Sequence, residues 1–382
     1  MKAWLVPGRR AALLALALLV LSAMPGLASR SVEGSETLLV LRWLDAGWGA
    51  LALPGLLACA GLALRADGCS PAHVAQLVLA TMLGAGLFLL LPPAQGEAVP
   101  EAGFLLATAG LFLLAGTGIR RLAALDGHRL FAPLTAALFG LWVLYFWQLL
   151  VVAFEVPRVL LPAPWLIVLS LLDHVPMLGR DFTQTVVKSV FSGWLIGCSL
   201  GLAVAVAIDR LPFLQRGLLP LASLTSTVPL VAVAPIAVMW FGFDWPSKAA
   251  VVVLMTFFPM LVSTLAGLQA ANRLERELMV SYAASYSRTL WSLRLPAAVP
   301  FMISALKVNA TLALIGAIVA EFFGSPTSGL GFRISTEATK MNMTLVWAAV
   351  VVAAVTGSVA YSLLVQLERK VAFWHPSVRG GK

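Results

Sequence analysis

The chain has 382 residues, of which 60% are hydrophobic and only 11% charged, with a formal net charge of +9. Soluble domains carry about 25% charged residues, so a chain this apolar cannot present a water-facing surface, and its solvent is the bilayer. The basic residues sit in short stretches between apolar runs, which reads as topology information and not as a nucleic-acid patch.

Ten segments are long and apolar enough to span, a spanning helix needing about 20 residues. They are 11–29, 46–64, 73–91, 101–118, 134–154, 186–208, 219–241, 248–268, 300–323 and 345–366. Backbone groups in lipid must be satisfied within each segment, so the expected fold is an all-α polytopic membrane protein of about ten helices. The first segment, with Arg9-Arg10, an apolar core and Pro25-Gly26-Leu27-Ala28, reads either as a retained helix or as a cleavable signal peptide. With the N-terminus placed in the cytoplasm, that side collects Lys2, Arg65, Arg120, Arg121, Arg210, Arg273, Arg276, Arg288, Arg294, Arg369 and Lys370 among others. The opposite side collects only Arg30, Arg42, Arg158, Arg180, Arg333 and Lys340, which predicts an even number of spans with both termini inside.

A polar hinge at 119–133, with Arg120, Arg121, Asp126, His128, Arg129 and Pro133, predicts a domain boundary. Residues 1–130 then form an extension of about four helices, and 131–382 a second domain. Cys59, Cys69 and Cys198 form no CxxC, and His73, His128, His174 and His375 are scattered, so neither a metal site nor a Ser-His-Asp centre is indicated. No GxxxxGK[ST] occurs, so the chain is expected to bind no nucleotide, to use no cofactor and to catalyse no reaction of its own.

The most informative stretch is 269–300, a hydrophilic loop far longer than a helical hairpin needs. Leu274, Leu278 and Tyr282 recur at four-residue spacing, and Thr289, Leu290 and Leu293 follow after the small residues Ala283-Ala284-Ser285. The pattern predicts two short amphipathic helices joined by a turn, with Pro296 starting a new direction and Pro300 at the membrane edge. Spacing alone leaves open whether they dock in a partner's groove or lie on the lipid surface.

This loop resembles the EAA loop of the permeases of ATP-binding-cassette importers. Glu277 takes the Glu position, Leu278 and Met279 the two alanines, and Ala283-Ala284 the Gly-Ala. Leu293 takes the apolar position and Leu295-Pro296 the Leu-Pro. Ala283 stands where the motif has Gly, a position whose turn asks for positive φ. The likeness covers roughly 134–375. Val228-Pro229, Ala234-Pro235 and Trp240-Phe241-Gly242-Phe243, then Ala320-Glu321 with Ser328-Gly329-Leu330-Gly331-Phe332, resemble the branch importing nitrate, sulfonates, taurine and thiamine-pyrimidine precursors. Leu161-Pro162-Ala163-Pro164 resembles its periplasmic LPSP stretch.

The resemblance implies a six-helix core that forms a homodimer in the lipid of a bacterial inner membrane. It implies cytoplasmic ATPase subunits docked on the loop and a periplasmic substrate-binding protein that delivers a small organic solute. No nucleic acid enters. Within the core, Lys307 and Glu321 interrupt one apolar run; they lie too far apart along the helix to pair, and Lys307 is close enough to the cytoplasmic end to snorkel. Ser226, Thr227, Asn309, Thr311 and Glu321 are candidates to line the path or to join helices. The competing class is an ion-coupled secondary transporter, which would want paired carboxylates or broken helices near midplane and has no use for such a loop.

Overall fold

The computed structural model describes residues 9–31, 38–64, 70–125, 131–211, 229–324 and 327–374. The chain divides into two compact units, Met1–Leu166 and Ile167–Lys382.

In the first unit, α1 (Arg9–Leu21) leads into strands β1 (Ala28–Ser31) and β2 (Leu38–Leu41). Then come α2 (Ala52–Leu64), α3 (Pro71–Phe88), the single turn α4 (Pro92–Gln95), β3 (Val99–Pro100), α5 (Ala102–Ala123) and α6 (Phe131–Ala153). The strands make a small antiparallel sheet in the order β2-β1-β3, with Ala28 opposite both Leu41 and Pro100. Ser70 caps α3 by accepting from the His73 amide at 3.3 Å, and Pro71 fills the first helical position, where its missing N–H is not needed. α1 packs on α5 and α2, α2 on α3, and α5 on α6, around Leu19, Leu56, Phe88, Phe104 and Leu111. Helix α6, grouped by its sequence with the second domain, therefore packs with the first unit.

Helix α7 (Pro164–Asp173) straddles the division. Beyond it, α8 (Val175–Phe182), a π-helical stretch Thr183–Phe191 and α9 (Ser192–Arg210) run on as one helical segment. They are followed by α10 (Leu230–Phe241), α11 (Trp245–Gln269), α12 (Arg273–Ser281) and α13 (Tyr286–Thr289). A π-turn, Leu290–Arg294, leads into α14 (Leu295–Gly324), and α15 (Leu330–Thr339) and α16 (Met343–Val371) complete the unit. Helix α11 is central and lies along both α9 and α14. Gly193, Gly197 and Gly201 recur every four residues on the α9 face that meets it; a Cβ on Gly201 would stand 2.6 Å from the Phe257 carbonyl oxygen. Such a stripe lets two helix backbones approach closely, which is how helices associate in lipid where no hydrophobic force separates them from the solvent.

Among the described residues eight helical segments are long and apolar enough to cross a membrane, and each coincides with an expected span. Two expected spans are shorter. The first is the 13-residue α1, with strand residues from Ala28 onward. The seventh is represented by the 12-residue α10; residues 212–228, including Ser226 and Thr227, lie outside the described residues. The small sheet is the departure from the all-helical expectation.

Candidate functional site

The loop 269–300 is built from two elements of different character. Asn272 caps α12 by accepting from the Leu274 amide at 3.1 Å. Helix α12 ends in a Schellman turn: the Ala283 amide donates to the Val280 carbonyl at 2.9 Å, and the Ala284 amide to the Met279 carbonyl at 3.0 Å. Closing that turn requires a left-handed residue, and Ala283 has φ +52°. Ser285 then caps the second helix by accepting from the Arg288 amide. The Glu277 carboxylate receives Arg273 Nε at 2.7 Å on an exposed face.

The second element is not a separate short helix. The helical segment runs unbroken from Tyr286 to Gly324, 39 residues, through Pro296 and Pro300. The helix does not end at Pro296. The π-turn Leu290–Arg294 just before it widens the helix where the proline removes a donor and crowds the preceding turn. At about 1.5 Å per residue the segment is about 58 Å long, against a hydrocarbon core of about 30 Å, so several turns stand outside the bilayer. Leu290 anchors this part, buried against Leu268 and Ala298 with Val206, Tyr286 and Leu295 around them.

Beside Leu290, Arg294 makes a bidentate pair with Asp209 near the end of α9: Nη1 donates to Oδ2 and Nη2 to Oδ1, each at 2.6 Å. Arg294 Nε donates to the Leu268 carbonyl at 3.0 Å, and the Tyr286 hydroxyl to Asp209 Oδ2 at 2.8 Å. The two side chains are only 14% and 9% exposed. By contrast Leu274, Leu278, Val280 and Tyr282 on α12 are 72%, 57%, 77% and 78% exposed. Met279, Ala284, Leu293, Leu295 and Pro296 are half-buried, and Ala283 is exposed.

The other end of the same helices holds a second polar cluster. Glu321 is buried and accepts from the Thr185 hydroxyl at 2.7 and 2.9 Å and from the Gly331 amide at 2.7 Å. Thr185 in turn accepts from the Leu330 amide at 2.7 Å. Asp181, also buried, accepts from the Gly329 amide at 2.9 Å and from Arg333 Nε at 2.8 Å. Lys248 is buried beside them and donates to the carbonyls of Phe243, at 2.5 Å, and Gly324. Asp244 caps α11, and hydrogen bonds from Gln184 and the Trp245 amide hold its carboxyl below the usual range. These groups tie α8, the π-helical stretch, α11, α14 and α15 together at one level.

Among the described residues, Asn309 and Thr311 sit in different surroundings, and Ser226 and Thr227 lie outside the described residues. Asn309 is wholly buried and donates to Cys198 Sγ at 3.3 Å and the Thr256 carbonyl at 2.8 Å, joining α14 to α9 and α11. Thr311, two residues on, is exposed on a groove between α14 and α16 lined by Ile315, Gly357 and Tyr361. Lys307 does not merely snorkel: it pairs with Glu368 at 2.8 Å. The sequence reading missed Asp181, Thr185, Asp209 and Lys248 as site residues and treated Arg294 and Arg333 only as topology markers. For Asp209 and Lys248 a signal was available, since each stands at the end of an apolar run, where a charge needs a partner.

Residues 197–373 match the family of binding-protein-dependent transport system inner membrane components. The chain is 30% identical over 250 residues to the formylaminopyrimidine transport permease protein of Halalkalibacterium halodurans, covering 64% of this chain and 98% of that one. It is 26% identical over 260 residues to the riboflavin transport system permease protein of Chloroflexus aurantiacus, 68% of this chain and 95% of that one. It is 27% identical over 194 residues to the taurine transport system permease protein of Escherichia coli, 51% of this chain and 69% of that one. With the loop built as above and spans of the required length around it, the chain belongs to the family of binding-protein-dependent transport system inner membrane components, the permeases of ATP-binding-cassette importers.

Proposed function

We propose that this permease is driven by cytoplasmic ATPase subunits docked on 269–300, works as a homodimer, and receives a small organic solute from a periplasmic binding protein. Both termini are cytoplasmic. Residues 1–130 form an N-terminal membrane extension and 131–382 carry transport. The solute is of the kind named for the relatives: a pyrimidine, a flavin or a sulfonate such as taurine. Alternating access follows as bundles rock about the dimer axis.

The observation that carries this reading is the exposed apolar face of Leu274, Leu278 and Tyr282, which ends at a turn fixed by its own hydrogen bonds. A short helix so presented suits a groove on a soluble partner. Glu277, Leu278, Met279, Ala283 and Ala284 make the docking end; Leu293, Leu295 and Pro296 join it to the membrane. Of the candidate path residues, Thr311 lines the solute route together with Ser226 and Thr227, while Asn309 and Glu321 hold helices together.

The test is co-purification of the ATPase with Glu277→Lys beside the wild-type complex. Losing a charged hydrogen bond costs about 1.5–3 kcal/mol, roughly ten- to hundredfold in docking. The permease should insert normally and shed its ATPase; normal co-purification and transport would make the loop a lipid-surface amphipath. A reporter fused after Lys382 should be active only in the cytoplasm.

A further inference from the structure

We propose that Asp209 is a positioning residue of transport: through its pair with Arg294 it carries the displacement of the loop into α9. The proposal rests on the ATPase-docking reading above.

The cluster is built for transmission. One guanidinium grips three elements at once: its own helical arm, α9 through Asp209, and the end of α11 through the Leu268 carbonyl. Both Asp209 oxygens are occupied, Oδ1 by Arg294 and Oδ2 by Arg294 and Tyr286. Arg210, next along α9, lies over the Tyr286 ring at 5.7 Å. The arm itself needs no such link to move α14, because Tyr286–Gly324 is one unbroken helical segment. Helix α9 is a different case. It meets the arm through Val206 against the Leu290 cluster and Arg210 over the Tyr286 ring, contacts that can slide, and through Asp209, whose two-point Arg294 fork resists both sliding and rotation.

The placement of Asp209 argues against a role in stabilising its own helix. It is the penultimate residue of α9, where the macrodipole is negative and a carboxylate is disfavoured. It is also nearly buried, where an unpaired charge is expensive. Both penalties are met by Arg294 alone among the described cations that pair with it.

The experiment uses the full complex, permease with ATPase subunits and binding protein, in proteoliposomes. It measures probe moved per ATP hydrolysed, with taurine, formylaminopyrimidine and riboflavin as probes. Asp209→Asn and Arg294→Gln should keep the ATPase bound and hydrolysing, yet move at least tenfold less probe per ATP. Arg294→Lys, which keeps the charge and loses the fork, should fall between. The exchanged pair Asp209→Arg with Arg294→Asp should recover at least a third of the wild-type ratio. An unchanged ratio with the ATPase bound overturns the proposal. So does loss of the ATPase from the purified complex, because the pair would then only shape the docking face. Should both single variants fail to insert, Tyr286→Phe removes one hydrogen bond and leaves the pair; it should lower the ratio about threefold, and no change there also overturns the proposal. Failure of the docking reading is separate: Glu277→Lys would then retain the ATPase and transport normally.

Discussion

The Ala284 amide reaches the Met279 carbonyl at 3.0 Å across a left-handed Ala283, so the turn that ends α12 is held in a conformation its own side chain disfavours. A non-glycine residue in this region carries a cost of order 1–3 kcal/mol, part of which glycine returns as greater freedom in the unfolded chain. Ala283→Gly should therefore leave ATPase binding intact and leave stability unchanged or raise it by about 0.5–1 kcal/mol. Ala283→Val should weaken ATPase retention, since a β-branched residue accepts this conformation least. Co-purification and thermal unfolding of the detergent-purified variants check both.

Glu321 and Gly329 meet closely enough that a Cβ on Gly329 would stand 2.6 Å from the Glu321 carboxyl, and Gly329 has φ +136°. Gly329→Ala is thus both strained and obstructed, and should lower stability by about 2–3 kcal/mol. Glu321→Ala leaves the Thr185 hydroxyl and the Gly331 amide without their acceptor and should cost about 2–4 kcal/mol. Glu321→Gln, which keeps an acceptor of the same shape, should cost less than half as much. Thermal unfolding of the three variants ranks them.

Lys307 on α14 and Glu368 on α16 are 15% and 18% exposed and 2.8 Å apart. Removing one partner strands the other in a largely dry setting. Lys307→Met alone should cost about 1–3 kcal/mol, while Lys307→Met with Glu368→Gln should cost less than Lys307→Met alone. A double-mutant cycle on unfolding midpoints measures this coupling.

Glu337 lies on α15, outside the apolar spans. Burial pushes its carboxyl up, but hydrogen bonds from Lys340 and Asn342 and the charges of Lys340 and Arg333 outweigh that and hold it below the usual range. A carboxylate with a lowered folded value contributes stability above its unfolded pKa of 4.5 and loses it as pH falls through the folded value. Glu337→Gln should therefore cost about 1 kcal/mol at neutral pH and almost nothing once the pH lies below the folded value, because the wild-type carboxyl is by then protonated too. Unfolding midpoints of both proteins across that pH range provide the check.

Several features were legible along the chain because each depends on residues within a few turns of one another. Apolar length set eight of the spans, the bias of arginine and lysine set their expected sense, and the spacing from Glu277 to Pro296 marked the loop. Even the strained turn was readable, since Ala283 occupies the glycine position of the motif. What only the tertiary structure decided is which charged and polar groups meet. Asp209 and Arg294 are 85 residues apart, Lys307 and Glu368 are 61, and Thr185 and Glu321 are 136. A charge inside an apolar run announces that it needs a partner, but not which one. The partner is set by the rotation of each helix about its axis and by the neighbour it packs against. The same packing buried Asn309 between α9 and α11 while leaving Thr311 open on a groove, and it drew α6 into the first unit.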